Sequence, residues 1–123
     1  MLNISEVNSY YGKAQVLNRM SFDIESGQIV ALLGRNGAGK TTTLKSIMQL
    51  VAPRTGSVRF CDQDITNQMP HKVAKMGLGY VPEERRIFTD LTVIENLEVG
   101  RQPPRDGTLL WTQNMLFDLF PNL

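Results

Sequence analysis

Five consecutive apolar residues, Ile29 to Leu33, stand between glycine-containing turns, and behind them the apolar period changes. Leu44, Ile47, Met48 and Val51 recur at the i, i+3, i+4, i+7 spacing of one helix face, and Pro53 stops the pattern soon after. The first run predicts a strand buried on both faces, and the second predicts an amphipathic helix directly behind it. Upstream, Leu2 to Val7 reads as an edge strand with Leu2 and Ile4 on one face, and Tyr10-Tyr11-Gly12-Lys13 as a turn. From Val16 to Ile24, Met20, Phe22 and Ile24 alternate with polar residues, as in a half-buried antiparallel strand. Glu25-Ser26-Gly27 then turns the chain into the Ile29 strand.

Downstream, Pro53-Arg54-Thr55-Gly56-Ser57 is a turn signal before a short strand around Val58 and Phe60, and Asp62-Gln63-Asp64 is a second turn. Pro70 suits the first position of a helix reaching about Met76, with Gly77 where a left-handed residue closes it. Leu78 to Val81 predicts another short strand, cut off by Pro82. Thr92-Val93-Ile94-Glu95 has the capping-box pattern and opens a helix carrying Ile94 and Leu97, ended by Gly100. A loop, Gln102-Pro103-Pro104-Arg105-Asp106-Gly107, leads to a last helix from Leu109 to about Phe120, with Leu109, Leu116, Leu119 and Phe120 on its face. There are no internal repeats and no low-complexity tract.

Composition adds bounds. A chain of 123 residues has the size of one ordinary domain. Its 13 basic and 12 acidic residues leave a net charge of +1, so no global field calls for nucleic acid or a membrane surface. Arg85-Arg86, the one adjacent basic pair, reads as part of a solvated loop. The lone cysteine, Cys61, leaves no internal disulfide and fits a reducing compartment. No basic segment followed by an apolar core opens the chain, and no apolar run approaches the roughly 18 residues of a membrane span. The expectation is a cytosolic protein that would serve a membrane only by docking to another subunit.

Between the predicted strand and helix lies Gly34-Arg35-Asn36-Gly37-Ala38-Gly39-Lys40-Thr41, which fits G-x-x-x-x-G-K-[ST] at every fixed position. Backbone N–H groups can crowd around a polyphosphate only where side chains do not intrude, so Gly37 and Gly39 permit close approach and unusual dihedrals. Lys40 brings a mobile cation for the β- and γ-phosphates. The Thr41 hydroxyl is placed to ligate Mg²⁺, and the N–H groups of the first helical turn add partial positive charge. Nucleotide binding is the expectation from these residues alone.

Five stretches together extend the pattern: Tyr11-Gly12 before the strand at Val16, GRNGAGKTT (which includes Thr42), PRTGSVRF, GYVPEERRIF and LTVIENL. In this order they resemble the front part of the nucleotide-binding subunit of an ABC transporter. The branched-chain amino-acid importer type is the nearest likeness, and urea importers are similar. The resemblance implies an α/β P-loop fold of the ABC type, with N-terminal antiparallel strands, an ATP-binding core over residues 1–90 and the start of a helical subdomain over 91–123. By the same resemblance, Tyr11 stacks on adenine and Val16 packs beside the base; Tyr10 is the local competitor, and the following Gly12 points to Tyr11. Glu83 stands where the family usually has glutamine. A carboxylate there can ligate Mg²⁺ with Thr41, since hard cations take oxygen ligands; Glu84 is an adjacent and equally polar alternative.

The family also completes its site with a signature sequence, an apolar strand ending in Asp-Glu and a switch histidine, and none of these is matched here. Met115-Leu116-Phe117-Asp118 superficially resembles that strand, but its helical spacing, and Leu119 in place of glutamate, mark it as the helix that precedes the signature. His71 sits in a helix start, which does not suit a switch. The resemblance therefore implies a truncated domain that ends inside the helical subdomain, with no catalytic residue of its own. Ile29 to Leu33 would lack partners on at least one edge. As a complete subunit such a protein is an ATPase that powers import of a small solute, with ATP and Mg²⁺ as cofactors. It would pair head to tail with a second nucleotide-binding subunit and dock on membrane subunits at the inner face of the cell membrane, with no nucleic acid involved. The alternative is a non-catalytic nucleotide-binding or interaction module.

Overall fold

The structure, a computed structural model, describes residues 1–84, 86–101, 103–104, 107 and 109–122. Arg85 of the basic pair, and Gln102, Arg105 and Asp106 of the expected loop, lie outside the described residues. The chain divides into two compact units, Met1–Tyr80 and Val81–Leu123.

The first unit is built on four antiparallel strands, β1 (Leu2–Tyr11), β2 (Ala14–Ile24), β3 (Thr55–Phe60) and β4 (Gln63–Asp64), in the spatial order β2-β1-β3-β4. Helix α1 (Lys40–Ile47) comes between β2 and β3, and α2 (Pro70–Lys75) follows β4. The expected edge strand at Leu2 is instead a central one. Its apolar residues face those of β3 in register, Leu2 opposite Phe60 and Ile4 opposite Val58, so pairing on that side buries both sets at once. The core consists of these four residues with Val7, Leu17, Ile47, Met48, Ile65 and Val73; Leu78 and Tyr80 pack partly buried against it.

β1 carries an extra residue at Glu6, φ +51°, opposite single residues on both neighbours. The Glu6 N–H donates to Ser21 Oγ at 2.8 Å, and the Glu6 carboxylate pairs with Arg19, which itself lies at φ +48° on β2. That pair holds the exposed Glu6 carboxyl below the usual carboxylate range. On the other side stands Gly56, φ +88°, where any side chain would overlap the Glu6 carbonyl.

Two expected strands are absent. Ile29 to Leu33 run without ladder partners; Ile29 is 100% and Leu33 88% exposed. A strand satisfies its backbone only through neighbours, and apolar composition does not supply them. Leu78 to Val81 is likewise irregular, and Val81 is exposed.

α1 shows a different face from the one its apolar spacing predicts. Ile47 and Met48 are buried as expected, but Leu44 is exposed and Val51 half-buried, while Thr42, Thr43 and Ser46 turn inward. Small hydroxyl residues let the helix approach β1 closely, and two of them find a local partner: Ser46 Oγ lies 2.8 Å from Ser9 Oγ, and Thr43 Oγ1 donates to the Gly39 carbonyl at 3.0 Å. Pro70 opens α2 at its first turn, and Gly77 behind it takes φ +111°, as the sequence predicts.

In the second unit α3 (Val93–Val99) begins at a complete capping box. Glu95 N–H donates to Thr92 Oγ1 at 3.3 Å, and Glu95 Oε2 accepts from the Thr92 N–H at 2.8 Å. Asn96 fastens the preceding segment to the helix: Phe88 N–H donates to its Oδ1 at 2.9 Å, and its Nδ2 donates to the Phe88 carbonyl at 3.0 Å. The last helix, α4 (Gln113–Leu119), is shorter than its apolar spacing predicts, because Thr112 caps it by accepting from Met115 N–H at 3.3 Å. Leu109 therefore precedes the helix. Met115 to Asp118 are helical, as expected.

Candidate functional site

The residues from Gly34 to Thr42 form a turn that ends in α1. Gly37 at φ +83° and Gly39 at φ +91° occupy the left-handed region where a Cβ is strained. Gly39 also has no room for one: a methyl group there would lie 2.9 Å from Leu17 Cδ2 and 3.3 Å from the Val16 carbonyl oxygen. The loop is thus seated against β2. Internally, Ala38 N–H donates to the Arg35 carbonyl at 3.1 Å, and Thr43 N–H to the Gly39 carbonyl at 2.8 Å.

Gly39 is the N-cap of α1, and it caps without a side chain; the first turn contains no acidic residue. The N–H groups of that turn therefore open toward the loop with their dipole uncompensated by any carboxylate of the turn. Lys40 folds back over the loop, and its Nζ donates to the carbonyls of Gly34 at 2.7 Å and Arg35 at 2.8 Å. The cation thus stands on the same small turn as the open amides. Left-handed glycines, free helix-start amides and a lysine together suit a polyphosphate, and nothing acidic in the loop opposes it.

Arg35, Asn36 and Thr41 are exposed, and Thr42, in the first turn of α1, is buried. Val16 is half-buried beside Gly39, since a methyl group on Gly39 would lie 3.7 Å from its Cγ1. Tyr11 ends β1 opposite Ala14, half-exposed; it lies two positions from Ser9, so it projects from the sheet face on which α1 packs. Lys40, Gly39, Val16 and Tyr11 thus all belong to the first unit. Glu83 is exposed and belongs to the second unit. An open groove of about 850 Å³ between α3 and α4, lined by Leu97, Arg101, Leu109, Trp111 and Leu116 among others, contains none of the residues expected to bind nucleotide or Mg²⁺.

Several supporting residues escaped the sequence reading. Gln49 is buried behind α1, with Nε2 donating to the Ser46 carbonyl and Oε1 accepting from Asn67 N–H, both at 2.8 Å. Arg54 holds the β1–β2 turn. Gln49 belongs to no apolar period or motif, and Arg54, although part of the PRTGSVRF stretch, gives no sign there of the turn it grips, so only the folded chain displays their contacts.

Residues 17–119 match the family described as ABC transporter. The chain belongs to this ABC transporter family. Among ABC transporter relatives, it is 34% identical over 123 residues to the high-affinity branched-chain amino acid transport ATP-binding protein BraG of Pseudomonas aeruginosa, covering 100% of this chain and 53% of the relative. It is 33% identical, with 100% of this chain and 52% of the relative covered, to "Probable branched-chain amino acid transport ATP-binding protein LivF" of Archaeoglobus fulgidus. Other matched ABC relatives are named for Nod factor export, sulfate/thiosulfate import and lipopolysaccharide export. A solved structure titled as the ATP binding subunit of an ABC transporter superposes with TM-score 0.72 at 31% identity, covering 80% of this chain and 40% of that one. The chain spans about half the length of the curated relatives it matches. Its fold is accordingly that of the ABC ATP-binding cassette, with antiparallel strands at the N-terminus.

Proposed function

We propose that this chain is the ATP-binding part of an ABC transporter ATPase that powers import of a small solute across the cytoplasmic membrane. The observation that carries the reading is the loop itself: Gly37 and Gly39 in left-handed conformation, uncapped α1 amides and Lys40 converge on one turn. Residues Gly34 to Thr42 bind the phosphates, and Lys40 moves from its carbonyl partners to the β- and γ-oxygens. Tyr11 supplies a flat ring for adenine, and Val16 packs beside the base. Thr41 and Glu83 have the oxygen donors that would hold Mg²⁺, which neutralises phosphate charge when bound. Branched-chain amino acids are the proposed cargo, on the names of BraG and LivF.

In the complete protein, partners would be membrane subunits and a second nucleotide-binding subunit, which places the assembly at the cytoplasmic face of the membrane. In-line attack on the γ-phosphate needs an oriented water and a general base. The proposed phosphate-loop residues supply neither, so residues 1–123 alone bind ATP without appreciable turnover. ATP titration of the wild type and of Lys40→Ala tests the reading. The variant loses charge-assisted hydrogen bonds, so affinity falls about tenfold to a hundredfold. An unchanged affinity removes the assignment, and Lys40-dependent hydrolysis by the 123-residue chain overturns the statement about turnover.

A further inference from the structure

Arg54 lies in the connection before β3, far along the chain from the β1–β2 turn that its side chain grips. Its backbone N–H donates to the Asn8 carbonyl at 2.9 Å, which anchors it on β1. Its guanidinium carbon stands 4.3 Å from the centroid of the Tyr10 ring, in cation–π range, and its Nη2 donates to the carbonyl of Gly12. Gly12 is the left-handed residue of the turn, φ +58°. Arg54 thus holds the residues on both sides of Tyr11. Asn8 extends the anchorage: its Nδ2 donates to Thr55 Oγ1 at 2.8 Å, and its Oδ1 accepts from Gln15 Nε2 at 2.9 Å.

We propose that Arg54 is a positioning residue for the nucleobase: by clamping Tyr10 and the Gly12 carbonyl it fixes the backbone that presents the Tyr11 ring. This rests on the ATP-binding reading above. A ring held in place before the ligand arrives loses less freedom on stacking, so the clamp contributes to affinity for the base and not for the phosphates. Arg54 is also a cation, and simple attraction of the phosphates would give it a second route to affinity. The two routes differ in which ligand they favour.

The test compares ATP with inorganic tripolyphosphate, which has the phosphates and no base, by titration of the full 123-residue chain. In Arg54→Ala, ATP affinity is expected to fall about threefold to tenfold while tripolyphosphate affinity is unchanged. Tyr10→Leu, which removes the ring under the guanidinium, is expected to show the same base-selective loss, and the double variant no more than the larger single loss. Equal losses for both ligands, additive losses in the double variant, or no loss in Arg54→Ala would each overturn the positioning role. A wild type that binds neither ligand would instead overturn the ATP-binding reading, and the positioning role with it.

Discussion

Gly39 and Leu17 meet so closely that a single added methyl group on the glycine would fall 2.9 Å from Leu17 Cδ2. Leu17 is buried in the core, so it cannot swing away without opening the sheet. The contact ties the conformation of the proposed phosphate loop to the packing of β2. Gly39→Ala therefore suffers twice, from the left-handed φ and from the clash. The expected cost is about 1–3 kcal/mol of stability together with at least a tenfold loss of ATP affinity, read by thermal unfolding and titration. Gly37, also left-handed but with open space around it, should lose affinity on substitution with less effect on unfolding.

The buried hydroxyl pair of Ser9 and Ser46 gives a second expectation. Ser46→Ala leaves the Ser9 hydroxyl buried without its partner, which costs about 1–3 kcal/mol. Replacing both serines by alanine removes the orphan as well. The double variant should be less destabilised than the sum of the two single ones, and strict additivity in denaturant unfolding would refute the coupling.

The Glu95 carboxyl is held below the usual carboxylate range by the Thr92 N–H and then by the Thr92 hydroxyl. A depressed carboxyl stabilises the folded form above its unfolded pKa, near 4.3, and the contribution is lost as pH falls through the depressed value. The start of α3 should thus be fully capped at neutral pH and fray under acid. Carbon chemical shifts of residues 93–99 across an acid titration would show it, and Glu95→Gln should flatten the curve.

Ile29 and Leu33 are exposed, so replacing both by asparagine should change unfolding stability by no more than about 0.5 kcal/mol per site. The same change should reduce binding of a hydrophobic dye and self-association, because it removes apolar surface from an unpaired segment. Val58→Ala provides the contrast: this residue is fully buried, and truncation should cost about 2 kcal/mol. Comparable losses in the two experiments would contradict the exposure of Ile29.

These contrasts show what a sequence carries. The left-handed glycine turn before α1 was legible because Gly37 and Gly39 answer a local backbone demand, and the Thr92–Glu95 box because both partners lie within one helical turn. The central place of β1 was not legible, since it depends on pairing with β3 some fifty residues away. Ile29 to Leu33 misled in the opposite sense: apolar composition marks a segment fit for a sheet, while the strand itself needs neighbours. The face of α1 was misread because threonine and serine, polar by any scale, can be buried once their hydroxyls are satisfied against Gly39 and Ser9. Arg54 and Asn96 act by where they reach, which no spacing encodes.

The extra residue at Glu6 interrupts β1 against β2 and β3 at the same point. A hairpin with one interrupted edge can slide by two residues and keep its alternation. Here a slide on either edge would move the interruption away from Ser21 or from Gly56, the one position on β3 with no side chain in its way. The three strands are keyed together at this shared notch, with two more offsets between β1 and β2 nearer their turn, so a slide that misplaces Glu6 fails on both edges simultaneously.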